Sequence, residues 1–94
     1  MTVFLDGNTI LDREMLHDTL TADLRLPAWY GRNLDALYDC LTDVQEETIE
    51  ILRDQAALEG HLGGYGRRFM KLLEEVSLEN PHIRLEIAGE TPEE

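Results

Sequence analysis

Basic residues are scarce in this chain. Eight Lys plus Arg stand against twenty Asp plus Glu, for a formal net charge of −12 and a pI near 4.4. So few cations cannot neutralise a run of phosphates, which excludes nucleic-acid binding and favours a basic partner. Acidity would also serve solubility alone, and by itself it selects no partner. Cysteine is scarcer still: Cys40 stands alone. That excludes an internal disulfide framework and is compatible with a reducing compartment. Beside Leu37 and Leu41, Cys40 reads as a small buried apolar residue rather than a nucleophile. No apolar run approaches a membrane span, and Met1-Thr2-Val3-Phe4-Leu5-Asp6 lacks the basic-then-apolar pattern of a secretion signal. The expected location is therefore the cytoplasm, with no membrane partner. A phosphate-binding glycine loop, a nucleophile elbow, a Cys/His ligand set and internal repeats are also missing.

What is present fits one small domain. Ninety-four residues suffice for one core, expected over residues 1–89, with 90–94 as a flexible acidic tail. Thr2 to Asp6 reads as a buried strand closed by the turn Asp6-Gly7-Asn8. Asp12 caps a helix carrying Leu16, Leu20 and Leu24, and Pro27 blocks its extension. His17 falls on its flank and, with no ligand-spaced partner, is given no role. In Glu47 to Arg53, Ile49 and Ile51 alternate with Thr48 and Glu50, as in a strand buried on one face. A brief helical turn over Asp54 to Leu58 leads into Glu59-Gly60-His61-Leu62-Gly63-Gly64, whose glycines predict a loop holding His61 without a partner. Tyr65, Phe69, Leu72, Leu73 and Val76 mark a long helix that stops at Asn80-Pro81, and Ile83, Leu85 and Ile87 mark a half-exposed last strand. Strands separated by helices imply right-handed crossovers, hence an α/β fold with a small three-stranded parallel sheet and about four helices packed on it. The pattern leaves strand order open.

The densest signal is Trp29-Tyr30-Gly31-Arg32-Asn33-Leu34-Asp35-Ala36-Leu37-Tyr38-Asp39-Cys40-Leu41-Thr42-Asp43. It reads as an aromatic turn running into a helix that Asn33 caps, with Asp35 in the first turn complementing the dipole. Leu34, Leu37 and Leu41 form an inward stripe, which leaves Asp35, Tyr38, Asp39, Thr42 and Asp43 outward. Acids at i, i+4 and i+8 repel one another, and a helix built for stability alone would place cations between them. Between residues 33 and 50 every charged residue is Asp or Glu, so this region projects a field of one sign. As catalysts, two aspartates one turn apart on an exposed face share no substrate cleft. As a cation site, Asp35, Asp39 and Asp43 are short of ligands. No catalytic residue, metal or cofactor is therefore assigned. Trp29 and Tyr38 read as contact aromatics beside the acids, a hot-spot composition. For Tyr30, closing the core and touching a partner are equally good readings.

Leu26 through Thr42, seventeen consecutive residues, resembles the signature of the barstar family, intracellular inhibitors of the secreted ribonuclease barnase. The family pattern is Leu-Pro, an aromatic pair, Gly, a variable residue, Asn-Leu-Asp-Ala-Leu, an aromatic and Asp-Cys-Leu. The resemblance implies a small α/β fold with a three-stranded parallel sheet. It also implies a cytoplasmic inhibitor, monomeric when free and without cofactor, that plugs the active site of a basic, secreted, guanyl-type microbial ribonuclease with an acidic helix face. Asp39 would enter the phosphate site and Asp35 would meet a second basic side chain. Trp29, Asn33, Tyr38 and Thr42 would take the other interface positions on this stretch, and Glu75 the acidic contact on the long helix. Trp29, Tyr38, Asp43 and Val44 stand where barstar has Tyr, Trp, Gly and Trp, so the rim differs: Asp43 adds a charge and Val44 removes a ring. The alternatives are an acidic immunity or interaction module for a different basic protein or toxin, and a stand-alone domain whose aspartates are solvent decoration.

Overall fold

Alternation in the first strand decides which side of the sheet meets the core. In the computed structural model, which describes residues 1–88, β1 (Thr2–Asp6) buries Val3 and Leu5 and leaves Phe4 68% exposed. The strand expected to be buried is thus a half-buried edge. α1 (Arg13–Leu24) starts where Asp12 accepts from the Met15 amide at 2.9 Å, and it ends with Arg25 in the left-handed region, two residues before Pro27. α2 (Leu34–Thr42), β2 (Thr48–Arg53), α3 (Gln55–Leu62), α4 (Gly64–Glu79) and β3 (Ile83–Ala88) complete the chain. Residue 89 and the tail expected over 90–94 lie outside the described residues.

The sheet is parallel throughout, in the order β1-β2-β3. Each crossover advances one strand in the same direction, so right-handed connections place their helices on one face and leave the other open. Burial follows this arrangement. Val3, Leu5, Thr48, Leu52 and Ile83 are buried beneath the helices, whereas Phe4, Arg84 and Glu86 are exposed on the other face. Leu16, Leu20, Leu37, Leu41, Phe69 and Leu73 fill the space above the covered face.

Two expectations are corrected here. In β2 the inward set is Thr48, Glu50 and Leu52, while Ile49 and Ile51 lie on the open face and are half-buried. Pairing of Val3 with Glu50 and of Glu50 with Leu85 forces this, because all three must share the covered side. Glu50 is 1% exposed, and neither carboxylate oxygen has a hydrogen-bond partner. Desolvation alone pushes its pKa up to about 7, so the proton is retained well above the usual carboxylate range.

The second correction concerns the expected glycine loop. α3 continues through Gly60 and His61 to Leu62, because Leu58 is fully buried and α3 packs on α4. His61 also gains partners: its Nδ1 lies 3.1 Å from both the Gly7 and Ile10 carbonyls. The break comes at Gly63, whose φ of 61° and ψ of −136° suit a residue without Cβ.

Candidate partner-binding face

α2 is held at both ends. The Asn33 side-chain Oδ1 accepts from the Ala36 amide at 2.8 Å, and its Nδ2 donates to the Gly31 carbonyl at 3.2 Å. Arg32 has a positive φ of 57° and reaches back to Asp18 at 2.7 Å, joining the turn to α1. At the far end the buried Asn80 donates to the Leu41 and Val44 carbonyls, both at 2.9 Å. The Leu41 carbonyl, which also accepts from the Val44 amide at 3.2 Å, and the Val44 carbonyl just past the helix end are thereby tied to the end of α4. With Leu37 and Leu41 fully buried, the outer surface of α2 cannot rotate without emptying the core.

Asp35, Asp39 and Asp43 are exposed, as is Glu75 on α4. Among the described residues none of the four makes a salt bridge. Tyr38 and Thr42 are half-buried rather than fully outward. The Tyr38 hydroxyl donates to the Glu79 carboxylate at the end of α4, and that hydrogen bond, ahead of desolvation and nearby acids, holds the phenol above its usual pKa. The Thr42 hydroxyl donates to the Asp39 carbonyl at 3.0 Å. Trp29 is 80% exposed. Cys40 is half-buried, and desolvation, followed by the charges of Asp39 and Asp43, raises its thiol pKa and keeps it an inert thiol.

At about 100° per residue the face fans out. Tyr38 leans to one flank, Asp43 to the other, and Asp39 lies between them. Each flank is a groove. The one toward α4, about 260 Å³, brings Asp35, Tyr38 and Glu75 together with Leu34, Leu72, Arg68 and Lys71. The one toward the end of α1, about 290 Å³, has Leu24, Leu26 and Pro27 against Trp29, Cys40 and Val44, with Arg25 and Asp43 also lining it. Of the sequence-predicted residues, Asp35, Tyr38 and Glu75 line the first groove and Trp29 and Asp43 the second, while Asn33, Asp39 and Thr42 line neither. Among the described residues no group of three or more His, Cys, Asp or Glu converges as a metal ion requires, and no helix is long and apolar enough to cross a membrane.

One supporting residue was missed at the sequence level. His17, given no role there, is 2% exposed, with Nδ1 2.6 Å from the Tyr30 hydroxyl and Nε2 2.7 Å from the Tyr65 hydroxyl. Desolvation lowers its pKa, and the charges of Arg32 and Arg13 add to the effect. The neutral ring has one donor and one acceptor nitrogen, so one phenol donates to it and the other accepts from it. Tyr30 is thereby a core residue that anchors the turn carrying Trp29. The signal for this was the place of His17 between Leu16 and Leu20 on the edge of an inward stripe.

Residues 1–88 match the family described as Barstar (barnase inhibitor). The chain is also 36% identical, over 78 residues covering 82% of its length and 86% of the relative, to the Bacillus subtilis (strain 168) protein named "Putative ribonuclease inhibitor YrdF".

Proposed function

The chain belongs to the barstar family, inhibitors and not enzymes, and on that premise we propose that it inhibits a basic, secreted, guanyl-type microbial ribonuclease by inserting α2 into the active site. The observation that carries the reading is the pair Asp35 and Asp39, exposed and, among the described residues, without ion pairs on a helix fixed at both ends. A ribonuclease site must bind a phosphodiester, so it presents cationic and hydrogen-bonding side chains to anionic oxygens. A rigidly offered carboxylate takes the same place without a scissile bond.

In this reading Asp39 occupies the phosphate position, while Asp35 and Glu75 meet a second basic side chain from α2 and α4. Trp29 and Tyr38 exclude water from these charged contacts on either flank. Asn33 and Thr42 contribute shape, since their polar groups already serve the cap and the Asp39 carbonyl. Asp43 adds negative charge beside Trp29. Inhibition is competitive occlusion, and the acidic field speeds encounter. The inhibitor acts as a monomer inside the producing cell. The test is inhibition of barnase and a panel of other guanyl-type microbial ribonucleases by the wild type and by Asp39→Ala. If the wild type inhibits none of them, the acidic module with a different basic target replaces this reading.

A further inference from the structure

Two cations border the acidic face in a place where a purely basic partner would be repelled. Arg68 and Lys71 lie three residues apart on α4 and line the groove opposite Asp35, with the apolar Leu34 and Leu72 between the banks. Both are exposed. Arg32 pairs with Asp18, Arg53 with Asp54 and Arg84 with Glu86, and the guanidinium groups of Arg13 and Arg68 lie 4.3 and 5.7 Å from the Tyr65 ring centre. Arg68 and Lys71 make no salt bridge among the described residues, although Asp35 and Glu75 line the same groove. Helix stability is a weak account of them, because Lys71 precedes Glu75 by four residues, the less favourable order for such a pair.

We propose that Arg68 and Lys71 form a cationic clasp that reads a carboxylate of the ribonuclease, so that the groove between α2 and α4 selects enzymes carrying an Asp or Glu beside their basic active site. This rests on the inhibitor reading and extends it to specificity. The groove's volume of about 260 Å³ lies below the roughly 300 Å³ at which pockets begin to hold whole small ligands, and it suits an inserted side chain. The planar guanidinium of Arg68 matches a carboxylate in two-point geometry, while Lys71 supplies a point charge. The acids on both banks would reject a carboxylate arriving without those cations, and the cations would reject a second basic group. The groove therefore discriminates by repulsion as well as attraction.

The sign of one substitution separates this from general electrostatics. Arg68→Glu with Lys71→Glu takes the formal net charge four units further negative, from −12, which on field strength alone accelerates binding to a basic enzyme. The clasp predicts the reverse. Against barnase and the other panel enzymes that the wild type inhibits, the double variant should bind about tenfold or more weaker, mainly through faster dissociation. Arg53→Glu with Arg84→Glu makes the same charge change on the open sheet face and should bind as tightly as the wild type or tighter. Circular dichroism checks folding, and Arg68→Gln with Lys71→Gln, expected about threefold weaker, replaces the reversal if that variant unfolds. A double variant that inhibits as well as the wild type overturns the clasp and leaves the inhibitor reading intact. A wild type that inhibits no enzyme overturns both.

Discussion

The imidazole Nδ1 of His17 lies 2.6 Å from the Tyr30 hydroxyl, and both side chains are buried. Through that contact α1 holds the turn from which Trp29 projects and after which Asn33 starts α2. The support for the candidate face thus begins well before the signature stretch, in a helix that carries none of the proposed contact residues.

His17→Leu should lower folding stability by about 1–3 kcal/mol, because two buried phenols lose a partner. The wild type should also lose stability as pH falls. The folded-state pKa of His17 is depressed below its unfolded value, so the unfolded chain binds the proton more readily. This contribution is fully present above about pH 6.5 and is lost as pH falls through the lower folded value. Urea unfolding from pH 7.5 to 5 checks this, and the variant should lack that component.

Glu50 has the opposite dependence. Its folded-state pKa is raised to about 7 from 4.5, so the folded chain holds a proton that the unfolded chain releases. That contribution is fully present below pH 4.5, falls as pH rises, and is gone above about 7, a change on the order of 3 kcal/mol. Glu50→Leu should abolish this dependence and unfold at higher urea concentration at pH 8, where the wild type is weakest on this account. Equal slopes for the two proteins between pH 5 and 8 would contradict it.

Asp39→Ala should keep the wild-type melting temperature within a degree or two, since the side chain is exposed and makes no salt bridge among the described residues. Its affinity for an inhibited ribonuclease should fall by at least ~2 kcal/mol, as truncation of a central charged contact does. Titration calorimetry against differential scanning calorimetry separates the two quantities. A large drop in stability with unchanged affinity would assign Asp39 to the fold instead.

Association should slow steeply as ionic strength rises from 10 to 500 mM, since screening shortens the Debye length from ~30 Å to a few Å. The dissociation rate should change far less, because contacts at short range are screened least. Stopped-flow mixing at several salt concentrations reads both rates, and an association rate independent of salt would point to an apolar interface.

Most of the candidate face was legible from local chemistry. Asp12 and Asn33 cap α1 and α2 as their side chains demand, the leucines of α2 turn inward at helical spacing, and Asp35, Asp39 and Asp43 are left outside. Helix caps and amphipathic stripes are settled within a few residues of one chain segment. So is the presence of three strands, each marked by its own alternation. The sequence by itself therefore determined the kinds of element, an acidic outer surface on α2 and the family signature.

Tertiary structure decided what alternation cannot. A period of two identifies two faces of a strand without saying which one the helices cover. Strand order and register resolved that, putting Glu50 beneath the helices and Ile49 on the open face. Long-range packing likewise carried α3 through Gly60, seated His17 between phenols thirteen and forty-eight residues away, and set Arg68 and Lys71 across a groove from Asp35. Each depends on contacts between segments distant in the chain, where loop closure and core packing, rather than local propensity, fix which side chains meet.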